Sequence, residues 1–204
     1  MPVLVLDEFF SEKLVTDRQE RGVDRPDEVW DGLYIVMPSR DNQHQELITH
    51  LLRPLHFASD EAMRGTTFPG CNVSDRAADW KENHRCPDIA VYLKGNPAID
   101  RGTHWQGGPD LAIEIVSPGD RSRDKLRFYT AVGTREVLIV DRDPWQLELY
   151  RNDGSPVMSS VGIAKVNGDA ITTESVPLTW RLTAGSDRPL IEVESADPPG
   201  HWQI

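Results

Sequence analysis

Pro87-Asp88 and Pro109-Asp110 each open a short apolar run, and the second continues Leu-Ala-Ile-Glu114-Ile-Val-Ser-Pro118. Lys125 follows in a stretch patterned as a helix. Carboxylates on neighbouring strands with an ammonium beside them are the parts of a magnesium-dependent site for cleaving phosphodiesters. A strand rises ~3.3 Å per residue, so Asp110 and Glu114 stand about 13 Å apart, too far to share an ion with ligands near ~2 Å. Glu114 therefore needs a partner from an adjacent strand, where cross-strand neighbours are about 5 Å apart. Asp88, at the head of the preceding apolar run, is the candidate. Glu114 also interrupts a run expected to be buried on both faces, where a carboxylate is costly unless cations or hydrogen bonds compensate it.

A plainer reading makes Asp88 and Asp110 turn-capping residues after proline, with Glu114 paired to an arginine. It is preferred for Asp110; metal binding is preferred for Asp88 with Glu114. The segment Asp120-Arg-Ser-Arg-Asp-Lys-Leu-Arg127 carries four basic and two acidic side chains. On a helix, Arg121 and Lys125 share one face, and Arg123 and Arg127 another. The second pair reads as a solvated face. Lys125 flanks Leu126 and Tyr129 of an apolar stripe and is expected to reach the carboxylates, orienting a water or stabilising phosphate charge.

The elements that must position these groups follow from patterning. Val29 to Met37 reads as a strand pair bent at Asp31-Gly32. Pro38-Ser-Arg-Asp-Asn42 supplies a loop and a helix cap. A helix over 43–53 is marked by Leu47, Ile48, Leu51, Leu52 and Leu55, with Pro54 ending or kinking it and His44 facing inward. Residues 57–85 are expected to hold one strand and long loops. Ile89–Leu93 and Leu111–Val116 read as central buried strands. A helix over 120–132 stops at Gly133, and strands follow at Glu136–Val140 and Leu147–Tyr150, with a further hairpin starting at Asn152-Asp-Gly154. The expected fold is α/β of the mixed α+β kind.

The chain has 204 residues, 38% hydrophobic and 27% charged, with a net charge of −11. That suits one well-cored domain over 1–204, with 1–26 a lead-in and 195–204 a loose tail. The acidic balance argues against coating nucleic acid non-specifically, though a local basic groove or a metal-neutralised site stays open. Cys71 and Cys86 are the only cysteines, read as reduced thiols in a cytoplasmic protein, a disulfide being the alternative. No leader or membrane-spanning stretch is read. Trp180 and Trp202 are read as core or edge packing, with a homodimer surface as the alternative.

These residues resemble the Uma-two family, assigned as restriction endonucleases within the PD-(D/E)XK nuclease superfamily. The likeness rests on Asp27-Glu-Val-Trp-Asp-Gly32, Met37-Pro-Ser with His44, and Cys86-Pro-Asp-Ile-Ala-Val91. It continues through Pro109 to Pro118, Asp120 to Lys125 with Tyr129, and Gly133 to Asp141. The resemblance implies a restriction-endonuclease-like core, a mixed central sheet flanked by helices, with additional N-terminal and C-terminal β-hairpins. Asp88 matches the first metal carboxylate and Glu114 the second. The lysine expected two residues on is Val116 here, and Lys125 looks like its migrated replacement. Glu28 matches an acidic position before the first hairpin, with two equal readings, helping to hold a metal or a surface carboxylate. His44 is read first as a satisfied core histidine, with a hydrogen bond to a site carboxylate as the alternative. Implied with these are Mg²⁺, with Mn²⁺ as substitute, DNA as partner, and neither a membrane nor an organic cofactor. Two other readings remain: a nuclease-like fold that binds without cutting, and an acidic protein–protein adaptor.

Overall fold

The structure is a computed structural model that describes residues 3–4, 8–22, 27–37, 40–117 and 121–204, with backbone alone for 3–4, 8–12 and 19. Pro38, Ser39, Pro118 and Asp120, which figure in the sequence reading, lie outside the described residues. Strand β1 (Val3–Leu4) and helix α1 (Glu8–Glu20) precede the hairpin of β2 (Glu28–Trp30) and β3 (Leu33–Val36). Asp31 and Gly32 both have positive φ, 50° and 84°, the backbone that a tight two-residue hairpin demands. Helix α1 is tied to the strand that follows, since Arg18 forks onto Asp27 at 2.5 and 2.9 Å.

Helix α2 (Asn42–His56) begins at Asp41, whose carboxylate accepts the His44 N–H at 2.7 Å. Pro54 does not end it. The missing N–H costs one bond, but Leu51, Pro54 and Leu55 are buried together and the chain passes into a π-type turn (Phe57–Glu61). Residues 57–85 also hold more than the single strand expected. They form β4 (Gly65–Pro69), β5 (Val73–Ser74), a 3₁₀ turn (Trp80–Glu82) and β6 (His84–Arg85). Short strands with mixed polarity leave too little alternation to be read.

Next come β7 (Ile89–Leu93), β8 (Ile99–Asp100), β9 (Trp105–Gln106) and β10 (Leu111–Ile115). A 3₁₀ turn (Ser122–Lys125) leads into helix α3 (Leu126–Ala131), which stops at Gly133 with φ 82°. Then follow β11 (Glu136–Arg142), β12 (Trp145–Arg151) and β13 (Ser159–Lys165). The last four strands are β14 (Ile171–Thr173), β15 (Leu178–Thr183), β16 (Leu190–Ala196) and β17 (Pro199–Gln203).

The central sheet runs β13-β12-β11-β10-β7-β4, with β10 and β11 parallel and the other pairs antiparallel. Alternation divides its strands between two cores. Ile113 and Ile115 face α2 and the C-terminal sheet β14-β15-β16-β17. Ala112, Val137 and Ile139 face α3 through Leu126, Phe128 and Tyr129. Glu114 therefore projects toward α3. The smaller sheet β1-β3-β2-β6-β5-β9-β8 carries Glu28.

Two expectations fail here. Residues 195–204 are not a loose tail: β17 pairs with β16, and Ile191 and Ile204 exchange backbone bonds at 2.8 and 2.9 Å. The Pro-Pro-Gly run is the turn and first strand residues of a hairpin, where proline's missing donor does no harm. Trp202 is half-buried and meets Phe57 edge-on at 5.1 Å, and Trp180 is fully buried. Nor is Arg123 simply solvated, since it bonds Asp141 at 2.5 Å and also Glu148. Among the described residues no helix is long and apolar enough to cross a membrane.

Candidate active site

Antiparallel pairing of β7 and β10 ends at Ile89 opposite Ile113, so Asp88 and Glu114 are the next residues on adjoining chains. The Ile115 N–H donates to Asp88 Oδ2 at 2.8 Å, which fixes the aspartate against the end of β10. Asp88 Oδ1 accepts from His44 Nε2 at 3.0 Å and from Arg40 at 2.7 Å. Burial by itself would raise the Asp88 carboxyl. The His44 hydrogen bond, the neighbouring charges and the Ile115 amide outweigh that and hold it below the ordinary range. His44 is 3% exposed, and Ser117 Oγ lies 3.2 Å from its Nδ1, so its ring is clamped at both nitrogens.

Glu114, 3% exposed, is gripped from the α3 side. Lys125 Nζ stands 3.0 Å from both its oxygens, and the Tyr129 hydroxyl donates to Oε1 at 2.5 Å. Burial, then the charges of Glu114 and Glu28, push the Tyr129 phenol well above its usual value, so it remains a donor. Lys125 reaches this position because it closes a 3₁₀ turn. Side chains three apart eclipse there, so Ser122 and Lys125 turn inward together while Arg121 stays exposed. The face shared by Arg121 and Lys125 on an α-helix therefore does not exist.

Lys125 also donates to Glu28 Oε1 at 2.8 Å. Glu28 is no surface carboxylate: it is fully buried, and takes bonds from Trp30 Nε1 at 2.7 Å and the Cys86 N–H at 2.9 Å. One ammonium thus joins the small sheet to the central sheet. Cys86 is buried and free, its thiol pushed up to about 12 chiefly by desolvation. Asp110 belongs elsewhere, accepting from the Leu93 N–H at 2.7 Å and Asn96 Nδ2 at 2.8 Å.

Sequence reasoning missed Arg40 and the part Tyr129 plays on Glu114. Tyr129 had a signal, lying one helical turn beyond Lys125 on the same stripe. Arg40 had none, being a basic residue next to a helix cap. Among the described residues no three His, Cys, Asp or Glu side chains form a ready-made metal cage. Mg²⁺ does not ask for one, because it binds through one or two carboxylates and completes its shell with water and substrate phosphate. Buried, hard oxygen donors on Asp88 and Glu114, with Glu28 across the same ammonium, fit that requirement.

A family model described as "Uma2: Putative restriction endonuclease" matches residues 17–185, which includes all of these groups. The chain belongs to the Uma2 family. That is a nuclease family by its description, and the match takes in the strands of Glu28 and Glu114 that meet at Lys125. This Uma2 protein also resembles a crystal structure from Anabaena variabilis ATCC 29413, described as a "putative nuclease belonging to DUF820". The TM-score is 0.60 at 15% identity, covering 74% of this chain and 83% of that one, so the likeness is one of fold. No curated protein matches the chain.

Proposed function

We propose that this Uma2 chain is a Mg²⁺-dependent endonuclease that hydrolyses phosphodiester bonds in DNA. The observation that carries the reading is that Asp88 and Glu114 are the residues next after the last paired position of β7 and β10, with the Lys125 ammonium buried against Glu114. Asp88 and Glu114 would hold the ion, with Mn²⁺ as an effective substitute, and Glu28 is the third carboxylate at hand. When bound, the ion supplies Lewis acidity at the phosphate and makes a coordinated water easier to deprotonate.

The chain's own residues do the rest. His44 and the Ile115 amide hold the Asp88 carboxylate in one orientation, and Tyr129 does the same for Glu114. Lys125 lies against Glu114 and Glu28, where its ammonium can orient an attacking water or balance charge on the phosphate. Burial on both faces of the sheet limits stray water and strengthens each of these interactions.

Cleavage of plasmid DNA in Mg²⁺ or Mn²⁺ by the parent, and by folded Asp88→Ala and Glu114→Ala variants, tests the proposal. The parent should cut and the variants should not. Equal cutting by all three would refute it.

A second reading has an observation of its own. Arg40, His44 and Lys125 already compensate the carboxylates, as a retired site that binds nucleic acid without cutting would also require. Calorimetric titration separates the two readings: Mn²⁺ binding in the millimolar range or tighter favours the enzyme, and no binding favours the module.

A further inference from the structure

Arg40 stands out among the groups on Asp88. The Asp88 side chain is 6% exposed and the His44 side chain 4%, whereas the Arg40 side chain is 25% exposed. One terminal nitrogen of its guanidinium bonds Asp88 Oδ1 at 2.7 Å. The other borders exposed Gly70, which has no side chain to cover it.

The Asp88 carboxylate is crowded. Oδ2 is taken by the Ile115 N–H, and Oδ1 serves both His44 and Arg40. A divalent ion bonded to Oδ1 at about 2.1 Å would stand beside a fixed guanidinium cation, and their repulsion opposes joint occupancy. The His44 ring, held at both nitrogens, can stay in place. Arginine cannot lose its charge, so it has to leave. Once displaced, its planar fork suits the non-bridging oxygens of a phosphodiester, which a point-charge ammonium matches less well.

We propose that Arg40 is a substrate-phosphate ligand parked on Asp88, where it occupies the metal's place until the ion displaces it; this rests on the metal-dependent reading above. The parked arginine disfavours the ion alone, and the ion frees the arginine for phosphate. Metal and nucleic acid therefore strengthen each other's binding, and by linkage they do so equally. The same device keeps a buried carboxylate compensated when the site is idle.

The test compares the parent with Arg40→Gln and Arg40→Lys, each first shown to be folded by its melting curve. Mn²⁺ alone is titrated calorimetrically, and binding of a short fluorescein-labelled duplex is followed in Ca²⁺. Arg40→Gln should bind Mn²⁺ about tenfold tighter and the duplex about tenfold weaker, within the usual size of a coupling between sites. Arg40→Lys, which keeps the charge, should stay near the parent for Mn²⁺. A merely structural ion pair would give unchanged or weaker Mn²⁺ binding in Arg40→Gln, and that result overturns the proposal while leaving the metal site standing. Absence of Mn²⁺ binding in all three proteins overturns both.

Discussion

Two pairs of acids lie in the same sheet at the same depth and are held in different ways. Asp110 and Glu136 are each 1% exposed, and Asp88 and Glu114 are 4% and 3% exposed. Asp110 takes the Leu93 amide, Asn96 and, at 3.2 Å, the exposed Arg135. Glu136 takes the amides of Glu174 and Ser175 at 2.9 and 2.8 Å, the Ser175 hydroxyl, and Arg151. Those acids tie loops to strand ends, and the arginines on them, Arg135 and Arg151, have side chains 62% and 30% exposed. Asp88 and Glu114 are held instead by Arg40, His44, Lys125 and Tyr129, with a single amide on Asp88. What separates the pairs is a basic partner as buried as the acid it holds, since the Lys125 and His44 side chains are 1% and 4% exposed. Burial by itself does not mark a site. The nature of the donors does.

Substitution is the sharpest way to break this contrast. Glu114→Gln and Asp88→Asn should lower cleavage by about 10³-fold or more, comparable with losing a metal or oxyanion contact. Folded Asp110→Asn and Glu136→Gln proteins should cut within a few-fold of the parent. Plasmid nicking rates measure both, and similar losses in the two pairs would erase the distinction. Lys125→Met comes next, since it strips the ammonium from two buried carboxylates. A buried pair broken on one side costs about 3–5 kcal/mol. The melting temperature should fall by roughly 6–20 °C at about 2–4 °C per kcal/mol. Glu136→Gln, which keeps its shape and some acceptors, should cost less, about 1–3 kcal/mol by the same melt.

Legibility in the sequence followed period and depth. The β7 and β10 runs were readable because near-continuous apolar residues mark doubly covered strands, and Glu114 was readable as a breach in one. The α2 stripe at Leu47, Leu51 and Leu55 was equally plain. Lys125 was placed near the carboxylates, but through the wrong geometry, because a 3₁₀ turn and an α-helix share their first residues in pattern. Glu28 could not be assigned a depth. Its strand is three residues long, and its burial depends on Lys125 arriving from 97 positions away. The β16–β17 hairpin was hidden by its prolines, which read as breakers and serve as a turn.

Acid sharpens the comparison from another side. The folded Asp88 carboxyl lies below its ordinary value, so its stabilising contribution is present at neutral pH and is lost as pH falls below about 4. The stability gap between the parent and Asp88→Asn should therefore narrow from pH 7 to pH 3.5, read by denaturant melts; a constant gap would contradict the pairing. The smallest effect concerns the thiols. Cys71 and Cys86 are both pushed up to about 12, chiefly by burial, so a disulfide-exchange reagent at pH 8 should find almost no reactive thiol until denaturant is added.

The most direct test is a crystal soaked in Mn²⁺ and measured at the manganese edge. The account predicts one anomalous peak bonded at about 2.2 Å to oxygens of both Asp88 and Glu114, with Arg40 swung off the aspartate. No peak there, or a peak elsewhere with Lys125 and Arg40 still on their carboxylates, would contradict it.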